Sequence, residues 1–107
     1  MKFDAMAAAV DWLDAYRFGD IEAILRMYRD DTVTECGCDG VTIVRKDGLR
    51  AYWERRLREY PASQLDDLKP SEDGATISYL ASAGLVAAIL EFGSDGRIRA
   101  LRCRPSK

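Results

Sequence analysis

Histidine is absent from this 107-residue chain. That absence removes Ser-His-Asp and Cys-His nucleophile arrangements and every His-bearing metal site. An acid or base here must be a carboxyl, a tyrosine, a cysteine or a lysine. Cysteine is scarce: Cys36, Cys38 and Cys103 make an odd count. With no export signal, free thiols are the expected state. Cys36-Gly37-Cys38 lacks the second ligand pair of a structural zinc site, so no metal is expected. Long apolar runs are also missing. The longest, Ala5 to Val10 and Leu85 to Leu90, fall well short of the roughly 20 residues that cross a bilayer, so no membrane partner is expected. Asp4 and Asp11 interrupt the opening segment as a signal-peptide core, which makes the cytoplasm the expected location.

What is present fits one globular domain. Folding a chain of this length buries roughly 65% of its unfolded surface, enough for a core without staples. Apolar residues make up 48% and charged residues 32%, the balance of a folded rather than a disordered protein. Net charge is −2. The segment 97–107 nevertheless carries Arg97, Arg99, Arg102, Arg104 and Lys107 without an acid. This is a local basic edge. Nucleic-acid binding domains usually show a larger excess, and no nucleic acid is expected as a partner.

Apolar periodicity places the elements. Phe3, Met6, Val10 and Leu13, flanked by Ala9, Trp12 and Tyr16, predict an amphipathic helix over 3–17. Gly19 suits its C-terminus and Asp20 the cap of a second helix, whose buried face is Ile21, Ile24, Leu25 and Tyr28. The β-branched run Thr32 to Cys38 predicts a strand with Thr34, Cys36 and Cys38 on one face and Val33 and Glu35 on the other. Asp39-Gly40 is a turn signal before a short strand, Val41 to Val44. Asp47 is expected to cap a third helix, stopped by Pro61, with Leu49, Tyr52, Trp53, Arg56 (by its stem), Leu57 and Tyr60 inward. Further strands are expected over 64–69, 75–82, 85–92 and 97–104, with turns at Asp73-Gly74 and Ser94-Asp95-Gly96. Helices first and strands after, with one helix inserted, indicate an α+β fold.

The order of these pieces resembles the nuclear transport factor 2-like superfamily, and within it the SnoaL-like and ketosteroid isomerase-like proteins. The resemblance is carried by Phe18-Gly19-Asp20, by Tyr28 to Thr34 (YRDDTVT), by the Lys46 to Leu57 helix and by Leu90-Glu91-Phe92 followed by Asp95-Gly96-Arg97-Ile98. It implies a cone-shaped, curved antiparallel sheet wrapped around a long N-terminal helix, with three helices in all. It further implies a small hydrophobic ligand in the cone and a homodimer through the outer sheet face. The isomerases' carboxylate base matches Cys36, their phenolic donor matches Trp12, and their protonated carboxyl falls near Ala88. All three groups are therefore replaced, and the resemblance argues against that isomerisation.

Two functions follow as expectations. One is a cofactor-independent enzyme or binding protein for a small hydrophobic, carbonyl-bearing compound, of isomerase, cyclase or hydratase type. Its ligand pocket would be lined by Trp12, Tyr16, Tyr28, Thr34, Cys36, Trp53, Tyr79 and Leu90, because aromatic walls with a few polar points suit flat apolar ligands. Its catalytic candidates are Asp14 and Asp31 as acid or base, with Tyr16 as donor. The other is a non-catalytic homodimerising interaction module. Each special residue also has a plain reading. The aromatics sit at core spacing, Asp14 on a solvated helix face, Asp31 at a turn, and a buried cysteine behaves as a small hydrophobe.

Overall fold

Local capping chemistry starts the chain's architecture. The computed structural model describes residues 3–36, 42–82 and 84–105. Helix α1 spans Ala5–Phe18. Asp4 caps it, its Oδ1 accepting from the Met6 and Ala7 N–H groups at 3.1 Å each. Gly19 ends it in the left-handed region at φ 72°, where a side chain would be strained. Asp20 then caps α2, Ile21–Arg26, through the Ala23 N–H at 3.2 Å. Phe3 lies ahead of α1 rather than within it, its ring edge-on to Phe92 at 5.0 Å.

Among the described residues six strands follow: β1 Tyr28–Cys36, β2 Thr42–Arg45, β3 Ala62–Ser71, β4 Gly74–Ala81, β5 Gly84–Phe92 and β6 Ile98–Pro105. Helix α3, Leu49–Glu59, is inserted between β2 and β3 behind a 3₁₀ turn, Lys46–Gly48. The sheet order is β2-β1-β6-β5-β4-β3. The sheet is curved, open and mixed rather than wholly antiparallel, because β1 and β6 run parallel. Helix α1 packs across β3 and β4. The cone-shaped α+β architecture expected from the sequence is what the chain forms.

Three local expectations change. Tyr28 is the first residue of β1 and not a member of the second helix. Helix α2 closes at Met27, whose N–H returns to the Ile24 and Leu25 carbonyls, and the Met27 carbonyl accepts from Ile98 of β6 at 2.7 Å. That sheet bond pulls the next residue out of the helix. Asp47 does not cap α3. It sits in the 3₁₀ turn, and Gly48 takes the cap position without a side-chain bond. The strand expected over 64–69 runs from Ala62 to Ser71. Cys38, the Asp39-Gly40 turn and Val41 lie outside the described residues.

Two irregularities set which side chains face inward. Between β1 and β6 the register passes from Tyr28↔Ile98 to Val33↔Ala100. Arg29 to Asp31 therefore arch away from the ladder while Tyr28, Thr32 and Thr34 stay buried. Between β5 and β6 the register passes from Glu91↔Ala100 to Phe92↔Ile98, leaving Arg99 as the extra residue. Arg99 and Arg102 consequently both reach the Glu91 carboxylate, at 3.1 and 2.9 Å. Arg102 and Arg104 share the exposed face of β6, opposite the buried Leu101 and Cys103. No helix among the described residues is long and apolar enough to cross a membrane.

Candidate functional site

The core inside the curved sheet is built around aromatic rings. Helix α1 supplies Trp12 and Tyr16, one turn apart on a single face. Helix α3 supplies Tyr52, Trp53 and Arg56. Strands β1, β4 and β5 supply Tyr28, Tyr79 and Leu90. Trp12, Tyr16 and Trp53 are each 1% exposed, and Tyr28, Tyr79 and Leu90 are 0% exposed. Full burial of side chains this size contributes about 1.5–3 kcal/mol apiece relative to exposure. The rings meet edge to face: Tyr16 to Trp53 at 4.8 Å between centroids, Tyr16 to Tyr79 at 5.4 Å, and Trp12 to Trp53 and to Tyr79 at 5.8 Å each. This geometry aligns positive ring edges with negative ring faces.

Polar atoms sit within this apolar packing. The indole N–H groups of Trp12 and Trp53, the Tyr28 hydroxyl and the Thr34 and Thr32 hydroxyls are buried without a hydrogen-bond partner among the described residues. Trp12, Trp53 and Thr34 all lie near enough to the Tyr28 hydroxyl to favour its ionised form, although no pair attains hydrogen-bond geometry. Burial dominates over this effect and pushes the Tyr28 phenol up to about 12. Tyr28 is therefore a neutral donor at physiological pH. Each unsatisfied buried donor costs about 1–3 kcal/mol. Two indole N–H groups that can only donate, beside two hydroxyls, form a place suited to an acceptor oxygen.

At the other end of the cluster lies Arg56, 3% exposed. Its guanidinium carbon stands 5.5, 5.8 and 5.9 Å from the ring centroids of Tyr60, Tyr16 and Tyr52. It donates to the Tyr79 hydroxyl at 3.5 Å. Burial opposes its charge, but the Tyr79, Tyr52 and Tyr16 phenols outweigh that penalty and hold its pKa raised. Ring faces suit a desolvated guanidinium for the same electrostatic reason. Tyr16 and Tyr79 are shifted upward by burial, with Arg56 pulling against it in both. Arg56 also lines a cavity of about 190 Å³ with Tyr60, Val86 and Pro105.

The structure thus brings Trp12, Tyr16, Tyr28, Thr34, Trp53, Tyr79 and Leu90 together inside the sheet. It leaves the two carboxyl candidates outside. Asp14, on α1, is half-buried and paired with Arg17 at 3.7 Å. Asp31 is exposed in the β1 arch and receives both Arg29 Nε, at 2.9 Å, and Arg29 Nη2, at 3.2 Å. Tyr16 donates its hydroxyl to the Tyr60 carbonyl. The Cys36 backbone stands opposite Cys103 and Thr42 in register, while its side chain lies outside the described residues. Cys103 is buried, with its sulfur 3.8 Å from the Tyr52 hydroxyl. Among the described residues, no three of His, Cys, Asp and Glu gather closely enough to hold a metal ion.

Sequence reasoning credited Arg56 with an inward stem only. Its signal is its place four residues after Tyr52 on α3 and four before Tyr60 at that helix's C-cap, which makes a ring-faced slot for a cation.

No family model and no curated protein sequence matches the chain. A solved structure does. A SnoaL-like protein of unknown function from Burkholderia thailandensis aligns with a TM-score of 0.80 at 24% identity, covering 96% of this chain and 95% of that one. The likeness shows the fold: this chain has the cone of the SnoaL-like, nuclear transport factor 2-like proteins.

Proposed function

We propose that the interior of the cone binds a small, largely apolar molecule carrying an acceptor oxygen such as a carbonyl. The observation that carries this reading is the cluster of unpartnered polar atoms at Trp12, Trp53, Tyr28 and Thr34. An acceptor oxygen seated there would take the two indole N–H groups and the neutral Tyr28 hydroxyl as donors. The surrounding rings supply apolar walls. Because these side chains are almost fully buried, a ligand seated there must be small. No carboxyl of the described residues stands in the cluster, so the reading is binding and polarisation of the oxygen rather than carboxylate-driven proton transfer.

The test is intrinsic fluorescence and thermal shift against a panel of small aromatic ketones, with native mass spectrometry of freshly purified protein. The expected result is saturable binding that raises the melting temperature. The Trp12→Phe/Trp53→Phe pair, which has no tryptophan left to report and is compared with the parent by thermal shift and native mass spectrometry, should bind about tenfold more weakly, as loss of hydrogen bonds worth about 1.4 kcal/mol would. Asp14→Asn and Asp31→Asn should bind as the parent does. No saturable response at millimolar ligand, together with no co-purified mass, would overturn the reading.

A second reading, a homodimerising module, has one favouring observation. Leu80 and Leu85 oppose each other on the outer face of β4 and β5, and Leu80 is 42% exposed. Sedimentation of Leu80→Lys beside the parent tests it, and a parent that stays monomeric at high concentration rules it out.

A further inference from the structure

A cleft outside the cone gathers four cations from three separate stretches of chain. Arg26 ends α2, Lys46 opens the 3₁₀ turn, Arg50 lies in the first turn of α3, and Arg97 precedes β6. They line a space of about 510 Å³ together with Glu22, Leu25 and Tyr28. Among the described residues the one acid in that lining is already engaged: Glu22 accepts from Arg50 at 2.7 Å. Lys46 donates to the Leu25 and Tyr28 carbonyls at 3.1 and 3.0 Å, which caps the negative end of α2. An ammonium has three donors, so one remains. Among the described residues, Arg26 and Arg97 form no ion pair with any acid. Both also border a second cleft of about 160 Å³, on the side of Asp11. The lining therefore carries an excess of three positive charges over its ion pair, with two guanidinium forks unclaimed.

We propose that this cleft binds a small phosphate-bearing molecule. A guanidinium fork matches two phosphate oxygens at once, and an ammonium adds a point charge. Two forks and one ammonium suit a polyanion with several oxygens better than a single carboxylate. The space exceeds what one phosphate fills, and Leu25 leaves it an apolar side for an organic remainder. Nothing in this inference depends on what enters the cone.

Inorganic pyrophosphate is the probe, titrated into the full chain at low ionic strength and followed by amide and arginine side-chain NMR. Saturable shifts centred on Arg26, Lys46 and Arg97 are expected, weakening as sodium chloride screens the site. The Arg26→Gln/Arg97→Gln variant should lose at least about tenfold in affinity. Both positions are exposed, so the variant keeps its fold, which its unperturbed spectrum elsewhere checks. Arg58→Gln/Arg104→Gln removes the same charge from exposed sites outside the cleft and should bind as the parent does. Absence of saturable binding at millimolar pyrophosphate, shifts centred elsewhere, or equal weakening in both variants would each overturn the proposal.

Discussion

The Tyr16 hydroxyl donates to the main-chain carbonyl of Tyr60, tying the last turn of α1 to the end of α3. Those helices come from opposite ends of the first 60 residues. Tyr16→Phe keeps the ring and its edge-to-face contacts and leaves the Tyr60 carbonyl without its donor. It should lower the unfolding free energy by about 1–2 kcal/mol with an unchanged urea m-value. A loss indistinguishable from zero would mean that water replaces the hydroxyl at no cost.

Gly74 begins β4 where another backbone passes. A Cβ there would lie 1.9 Å from the Leu90 carbonyl oxygen, so β4 and β5 would have to part. Gly74→Ala should destabilise by more than about 2 kcal/mol, through overpacking against atoms that cannot rotate away. Gly48→Ala is the contrast, since its nearest neighbour is the Val44 side chain at 3.4 Å. Its effect should stay within about 1 kcal/mol. Paired chemical denaturation of the two variants checks both.

Alkali should unfold the protein abruptly. Tyr16, Tyr28 and Tyr79 all have raised phenol pKa values, chiefly because burial disfavours the phenolate. Below the ordinary tyrosine pKa of 10.0, folded and unfolded states both keep the phenol proton, and stability is full. Above it the unfolded chain releases protons that the folded core retains, so stability falls as pH rises. Tyr28 alone loses about 2–3 kcal/mol by the time pH reaches its folded value of about 12. Absorbance at 295 nm and far-ultraviolet dichroism should therefore change together. Phenolate signal from all the tyrosines with the fold intact would contradict this.

Glu91 holds two arginines on the outer sheet face, and its side chain is 23% exposed. Glu91→Gln should cost no more than about 1 kcal/mol, because exposed ion pairs are screened. The difference from the parent should shrink in molar salt. Thermal melts at low and high salt measure it.

Much of this was readable from residue order, because caps and periodicity are local. Asp20 and Gly19 announce the break between the first two helices, and the alternation Ala75, Ile77, Tyr79 announces β4. The arch from Arg29 to Asp31 and the extra residue Arg99 were hidden, since a register shift leaves the strand's composition unchanged. Tyr28 fitted the helical spacing of Ile21, Ile24 and Leu25, and a hydrogen bond from distant Ile98 decided against it. The aromatic core was legible because Trp12 and Tyr16, like Trp53 and Leu57, fall at helical spacing. The basic cleft was not, because Arg26, Lys46 and Arg97 lie far apart in the chain and only folding assembles them.

The parallel ladder between β1 and β6 bears on how the molecule comes into being. It joins residues 28–36 to residues 98–103, whereas β3 through β6 are successive neighbours that can pair as they emerge. A growing polypeptide can thus assemble its C-terminal meander hairpin by hairpin. The β1–β2 ribbon has no inner neighbour until the final strand has been made. During synthesis the segment that supplies Tyr28 and Thr34 waits longest for its place, so the cone's polar cluster is among the last features to form.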